Sequence, residues 1–225
     1  MEQVKVIKIE ESVFAPNEKL AEKTRTRMKK EGTFFVNVMS GPGAGKTTAL
    51  TRLINDLKGE FGIGEMDVDI ESSLDAQKVA DATGIPSMQI HNGGLCHIDA
   101  EMTAKALDAY DKGNLDLLIL ENIGNMVCPA EFDTGAEKNL MLWSITEGDD
   151  KPLKYPLMFR ISDAVAITKI DTAAYFDFDF ARAEAHVKAL NPDARIFRIS
   201  AKTGEGMSEL EDWFRQQIRE IKEKM

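Results

Sequence analysis

The sequence has little cysteine, no surplus of positive charge and no long apolar run, and each shortage excludes a class of protein. Only two cysteines, Cys96 and Cys128, occur among 225 residues, too few for the disulfide framework of a small secreted scaffold. They read instead as thiols or metal ligands in a reducing compartment. The formal net charge is -10, so the chain lacks the basic face that nucleic acid or an anionic membrane surface demands. Its one basic run, Lys23 to Lys30, is short. No apolar stretch approaches the ~20 residues that span a bilayer, and the N-terminus shows no basic region leading into a long apolar one. A soluble, cytoplasmic protein with no nucleic-acid and no membrane partner is expected. No internal repeat or low-complexity tract divides the chain. With 43% hydrophobic residues it can bury one full core, and a second domain would have to be small.

What is present is organised around one stretch. The mostly apolar stretch Phe34-Phe35-Val36-Asn37-Val38-Met39-Ser40 runs into Gly41-Pro42-Gly43-Ala44-Gly45-Lys46-Thr47-Thr48, followed by Ala49 and Leu50. A buried strand, a glycine-rich loop and a helix start in this order form a phosphate-binding loop. Small residues let successive backbone N–H groups curl around phosphate oxygens, and the helix presents the positive end of its dipole to the same charge. Lys46 then reaches the outer phosphates and the Thr47 hydroxyl ligates Mg²⁺. Ser40 stands where the usual G-x-x-x-x-G-K-[ST] pattern has its first glycine; serine is small enough to fill that place.

Around this loop, β-like and helical stretches alternate. Asn17 is expected to cap a surface helix through Lys30, making residues 1–30 an N-terminal segment and 31–225 the nucleotide-binding domain. Leu50, Leu53, Ile54 and Leu57 recur at helical spacing, with Gly59, Gly62 and Gly64 as stops. Strands are expected at Met66 to Ile70, Ser87 to Ile90, Leu115 to Glu121, Leu140 to Ile145, Ala164 to Thr168 and Ile196 to Ser200. Helices are expected at Asp75 to Thr83, Asp99 to Tyr110, Arg182 to Leu190 and Ser208 to Lys222, the last with Ser208 and Glu211 as a capping box. This alternation predicts an α/β fold with a mainly parallel sheet covered by helices on both faces.

Two short segments bear on the base. Thr168-Lys169-Ile170-Asp171 and Ser200-Ala201-Lys202 each follow an apolar strand, where ligands of open α/β sheets bind. They resemble the base-reading segments of GTPases. A carboxylate such as Asp171 accepts from both N1–H and N2–H₂ of guanine, a donor pair adenine lacks, while the Lys169 stem covers the ring; GTP is therefore favoured over ATP. In the same resemblance Glu121-Asn122-Ile123-Gly124 takes the place of the D-x-x-G segment, with Glu121 near Mg²⁺ and the Gly124 N–H sensing the γ-phosphate. Asp69 and Asp75 are candidates to complete the Mg²⁺ shell, with surface or helix-capping roles as the competing reading.

Both cysteines lie in short linear segments, Cys96-His97 within Gly93 to Ala100 and Cys128-Pro129 within Asn125 to Glu131, just after Gly124. Thiolate and imidazole together suit Ni²⁺ or Zn²⁺. On spacing alone, two buried thiols and a helix-start histidine are the favoured reading. His91 and His186 have no comparable company and read as surface or satisfied core residues.

Taken together, Ser40 to Thr48, G-L-C-H-I-D-A at Gly94 to Ala100, E-N-I-G-N-M-V-C-P-A-E-F-D at Glu121 to Asp133 and T-E-G-D-D-K-P-L-K-Y-P at Thr146 to Pro156 resemble the HypB family of nickel-insertion GTPases. The resemblance runs from about Asn17 to the C-terminus. It implies a P-loop NTPase of the SIMIBI type that hydrolyses GTP slowly with Mg²⁺, and a nickel or zinc site at a dimer interface placed on Cys96, His97 and Cys128. It further implies a HypA-type nickel chaperone and a hydrogenase large-subunit precursor as partners. The chain lacks the N-terminal C-x-x-C-G-C segment and histidine-rich tract of some members, so tight nickel storage there is not expected. A urease-type accessory GTPase is the alternative, weakened because Ala130 stands where a Cys-Pro-His motif would place histidine. A P-loop small-molecule kinase is another, but no arginine-rich lid is marked.

Overall fold

The computed structural model describes residues 10–69, 74–110 and 113–223. Helix α1 (Glu10–Lys30) leads into β1 (Phe34–Ser40), α2 (Lys46–Leu57), β2 (Ile63–Asp69), α3 (Leu74–Thr83), β3 (Ser87–His91) and α4 (Ala100–Ala109). The chain continues through β4 (Leu117–Gly124), α5 (Cys128–Glu131), β5 (Lys138–Ser144), α6 (Lys151–Lys154), α7 (Pro156–Arg160) and β6 (Ala164–Thr168). It closes with α8 (Phe180–Leu190), β7 (Arg195–Arg198) and α9 (Met207–Glu223). Two 3₁₀ turns, Ile145–Glu147 and Ile170–Tyr175, flank β6 and its approach.

The seven strands form one sheet in the order β3-β2-β4-β1-β5-β6-β7, and every pairing is parallel. Parallel strands buried on both faces must be apolar almost throughout, and every residue of β1 and β6 is buried. β1 is central, with β4 on one side and β5 on the other; the crossover from β1 to β2 runs to one side and that from β4 to β5 runs to the other. That reversal opens a crevice at the carboxyl end of β1, the position where open α/β sheets bind ligands.

One face of the sheet is covered by α2, α3 and α9. Leu50, Leu53, Ile54, Val79, Leu210, Trp213 and Phe214 pack there against Val36, Leu117, Ile119 and Ala164. The periodic stripe of α9 delivers this contact, and Phe34 meets Trp213 and Phe214 edge-on at centroid distances of 6.1 Å; each such side chain contributes about 1.5–3 kcal/mol by burial. On the other face, α1 and α4 cover one apolar cluster around Phe35, Met66 and Leu120. α7 and α8 cover a second around Met39, Trp143 and Phe159.

Several expected boundaries move for local reasons. The helix expected from Asn17 starts at Glu10, and Asn17 lies inside it with its side chain turned to tertiary partners. One side of α1 is buried at Ala21, Thr24 and Met28. The reading of residues 1–9, and of Ile70 as a strand end, lies outside the described residues. β2 begins earlier than Met66, because Gly64 belongs to the strand, where a side chain would collide with Tyr110 Oη. β5 stops at Ser144, which accepts from Thr146 N and caps the following 3₁₀ turn. β7 stops at Arg198, and Ser200 N turns away to Glu205 O at 2.9 Å. The Ser208 capping box does not form, since α9 has already begun at Met207 and Glu211 engages Arg215. Asp99 sits outside α4 as its cap, accepting from Met102 N at 2.9 Å.

Candidate functional site

The loop from β1 to α2 fills the crevice. Gly45 takes the left-handed backbone (φ 91°) that lets the chain turn into α2, and no side chain caps that helix start. Its first N–H groups therefore have no partner inside the helix, and they suit an anion. Lys46 Nζ donates to Ser40 Oγ at 3.0 Å, and Ser40 Oγ donates to Gly41 O at 2.6 Å. The serine that departs from the usual pattern thus ties the lysine to the base of the loop. A cleft of about 650 Å³ opens beside it, lined by Gly43 to Thr48, Asp75, Lys78 and Glu121 among others.

Thr47 Oγ1 donates to Glu121 Oε1 at 3.0 Å. Glu121 is 3% exposed and its second oxygen, Oε2, makes no hydrogen bond among the described residues. Directly opposite in register, Asp67 is 4% exposed and its Oδ2 is likewise without a partner among them. Burial pushes Glu121 up to about 7 against the pull of Lys46, and pushes Asp67 up to about 6. Two buried carboxylate oxygens with free lone pairs beside a threonine hydroxyl fit a hard divalent cation such as Mg²⁺. Of the acids singled out in the sequence, Asp69 ends β2 half-buried, while Asp75 lines the cleft and accepts from Lys78 Nζ at 2.8 Å. Asp67 was missed. The signal for it was present, because residues 67 and 69 share a strand face and the parallel register sets the carboxyl end of β2 against that of β4.

The guanine-type segments come together on the other side of the loop, around a cavity of about 260 Å³ lined by Ala44, Gly45, Thr168, Lys169, Asp171, Ala201 and Lys202. Thr168 Oγ1 donates to Ala44 O and Lys169 Nζ to Gly43 O, both at 2.7 Å. Lys169 holds the only positive φ (62°) of a non-glycine residue among those described, which lays its stem beside the loop. Ser200, fully buried, donates from Oγ to Asp171 Oδ1 at 2.7 Å and so fixes the carboxylate.

Gly124 ends β4 against the loop: a Cβ there would stand 3.3 Å from Pro42 Cα and 3.6 Å from Lys46 Nζ. Cys128 follows as the first residue of α5, and Cys96 reaches it from the β3–α4 loop with the two Sγ atoms 2.7 Å apart. Neither is a core thiol, since Cys96 is exposed and Cys128 half-buried. The contact with Cys96, followed by burial, pushes the Cys128 thiol above its usual range. His97 Nδ1 lies 3.9 Å from Cys96 Sγ, and its ring stacks on Phe132 at 3.8 Å. Among the described residues no group of three or more His, Cys, Asp or Glu is disposed to hold a metal ion. His91 is exposed, and His186 approaches the Asp149 carbonyl, away from this site. Asn17 bridges the two cysteine segments, accepting from Ala100 N at 2.8 Å and donating to Asp133 O at 2.9 Å.

A parallel sheet carrying a phosphate loop, a buried metal-type carboxylate pair and a base cavity defines a P-loop nucleotide-binding protein. Residues 35–198 match the model described as CobW/HypB/UreG, nucleotide-binding domain. The hydrogenase maturation factor HypB of Azotobacter vinelandii is 39% identical over 217 residues, which is 96% of this chain and 71% of that protein. HypB of Archaeoglobus fulgidus superposes with a TM-score of 0.84 at 37% identity, covering 91% of this chain and all of that one. HypB of Helicobacter pylori, solved in complex with nickel, gives 0.85 at 37% identity over 91% and 96% of the two chains. The chain belongs to the HypB family. No helix among the described residues is long and apolar enough to cross a membrane.

Proposed function

We propose that this chain binds and hydrolyses GTP and uses the nucleotide state to control a nickel-transfer site during maturation of a [NiFe] hydrogenase. The observation that carries the reading is the continuity of one segment. β4 ends at Gly124 against the phosphate loop, and the same strand exit delivers Cys128, four residues on, to Cys96. A segment held by the γ-phosphate in one state and released in the other would move a metal ligand with it. The nickel complex of a 37% identical HypB supports the choice of cargo.

In this reading Lys46 and the first N–H groups of α2 hold the β- and γ-phosphates and stabilise the charge that builds as water attacks the γ-phosphorus and GDP departs. Thr47, Glu121 and Asp67 would hold Mg²⁺, with Asp75 at the rim of the cleft. When bound, Mg²⁺ neutralises charge on the β- and γ-oxygens. Asp171, fixed by Ser200, accepts from the guanine edge, and the Lys169 stem covers the ring. Arg52 lines the cleft but is paired with Asp56, so no arginine finger comes from α2, and unassisted turnover on the order of 10⁻³ to 10⁻⁴ per second is expected.

Ni²⁺, or Zn²⁺ in its place, is the cargo, taken by the thiolates of Cys96 and Cys128 with His97 beside them. Three ligands leave a tetrahedral site open. A second copy meeting this surface would complete it by symmetry, and an open site suits exchange with a HypA-type donor and a hydrogenase large-subunit precursor. The test is light scattering after gel filtration with GDP or a non-hydrolysable GTP analogue, each with and without equimolar Ni²⁺ or Zn²⁺. A nucleotide-dependent dimer carrying metal that Cys96→Ala abolishes supports the reading. A monomer that binds GTP and no metal removes the transfer function.

A further inference from the structure

β4 does not run flat into the site. Val38 of β1 faces Glu121, but Ser40 faces Gly124, so the single residue Met39 stands opposite both Asn122 and Ile123. This is a bulge, and its position explains a geometric problem. Side chains alternate along a strand, so residues three apart point to opposite faces. Yet Glu121 meets Thr47 while Gly124 closes on Pro42 and Lys46, both parts of one loop. The extra residue allows both contacts, as bulges beside functional sites re-aim side chains.

A bulge leaves a backbone N–H without a ladder partner, and a buried one must be satisfied. Ile123 N donates to the Asn122 side chain itself, at Oδ1 and 2.8 Å. Asn122 is 1% exposed, and its Nδ2 donates to Asn37 Oδ1 at 3.0 Å. Asn37 Nδ2 in turn donates to Asn139 Oδ1 at 2.9 Å, and Asn139 Nδ2 to Ile161 O at 3.3 Å. Three amides therefore form a directed chain across β4, β1 and β5. It lies between the Phe35 and Met39 clusters, on the face away from α2, and none of the three residues lines the nucleotide cleft. Asn37 interrupts the apolar run Phe34 to Met39 of β1, where an amide is costly unless bonded at both ends.

We propose that Asn122, held by Asn37, is a positioning device for hydrolysis: it locks the bulge that sets Glu121 and Gly124 against the phosphate loop. The inference rests on the GTPase reading above. Asn37→Val removes the acceptor for Asn122 Nδ2 and frees the bulge, whereas Asn139→Val leaves the Asn37–Asn122 bond in place. Displacements of about 1 Å at a reacting centre cost up to ~100-fold in rate. We therefore expect Asn37→Val to lower kcat for GTP by about tenfold or more, with GDP affinity and KM within about twofold of the parent protein.

The full-length chain is used, with phosphate release, fluorescent GDP titration and thermal melting on the same preparations. Asn139→Val should lower the melting temperature while kcat per folded molecule stays within about twofold. Asn37→Thr, which keeps a hydroxyl facing Asn122, should recover most of the lost kcat. Should Asn37→Val not fold, Asn122→Ala, which removes the acceptor of Ile123 N, takes its place with the same expected loss, and a kcat equal to the parent's overturns the proposal. Equal kcat in the parent, Asn37→Val and Asn37→Thr overturns the proposal, as does a loss of GDP affinity that matches the loss of kcat. Absence of GTP hydrolysis by the parent protein overturns the GTPase reading instead, so the two failures are distinct.

Discussion

Thr47 Oγ1 and Glu121 Oε1 are joined by a 3.0 Å hydrogen bond that ties the first turn of α2 to the end of β4. The carboxylate is buried, and its other oxygen is free to accept. Glu121→Gln keeps the size and the bond to Thr47 but removes the charge a hard cation needs. GTP turnover should fall by roughly 10²–10³-fold, while GDP binding measured without Mg²⁺ stays close to that of the parent. Turnover left intact would remove Glu121 from the metal-binding role.

Asp171 is held by Ser200 Oγ at 2.7 Å, with its carboxylate beside the base cavity. Asp171→Asn replaces an acceptor of two donors by a group that accepts with one atom and donates with the other. Each hydrogen bond to a charged group is worth about 1.5–3 kcal/mol, so GTP affinity should drop by at least about tenfold. Xanthosine triphosphate, which offers an oxygen at the 2-position, should gain. Competition titration with the two nucleotides reads both changes, and an unaltered preference would move base recognition elsewhere.

The thiol pair and the nucleotide cleft share no residue. Cys96→Ala should therefore weaken Ni²⁺ or Zn²⁺ binding by at least about tenfold and leave GDP affinity unchanged. Equilibrium dialysis and GDP titration on the same variant decide it. Simultaneous loss of both would mean that the two sites are not separable in the way described.

Glu65 lies fully buried on β2, contacts Ser87 Oγ, and has one oxygen without a partner. Burial, with the nearby Glu121, Asp67 and Asp75 charges adding to it, pushes its carboxyl up to about 8 from 4.5. The folded protein thus keeps this proton where the unfolded chain has released it. Its contribution to stability is full below about pH 4.5 and is lost as pH rises toward 8. Glu65→Gln should flatten that fall, raising the melting temperature at pH 8.5 more than at pH 5, at about 2–4 °C per kcal/mol. A melting difference independent of pH would show that Glu65 ionises as easily in the fold as outside it.

The phosphate loop, both base segments and the strand carrying Glu121 were legible because each rests on local chemistry: small residues, a lysine, a threonine and apolar runs with fixed spacing; the strand itself starts at Leu117 and runs on to Gly124. Cys96 and Cys128 could be paired only through resemblance, since their meeting depends on where the β3–α4 loop falls. Asp67 was hidden for a related reason. Its importance arises from register with Glu121, a property of two strands far apart in sequence. Likewise Gly62 and Gly64 looked like helix stops, whereas the space under Tyr110 makes Gly64 part of β2. Asn37 and Asn122 gave no signal of their own, because a chain of side-chain amides exists only once β1 is placed between β4 and β5.

The side chain of Asn17, in α1, grips both the start of α4 and the segment after α5, the two places from which Cys96 and Cys128 arrive. The N-terminal helix is therefore a handle on the thiol pair that passes nowhere near the phosphates. A displacement of α1 would therefore reach both thiol-bearing segments through one side chain, without passing through the phosphate loop.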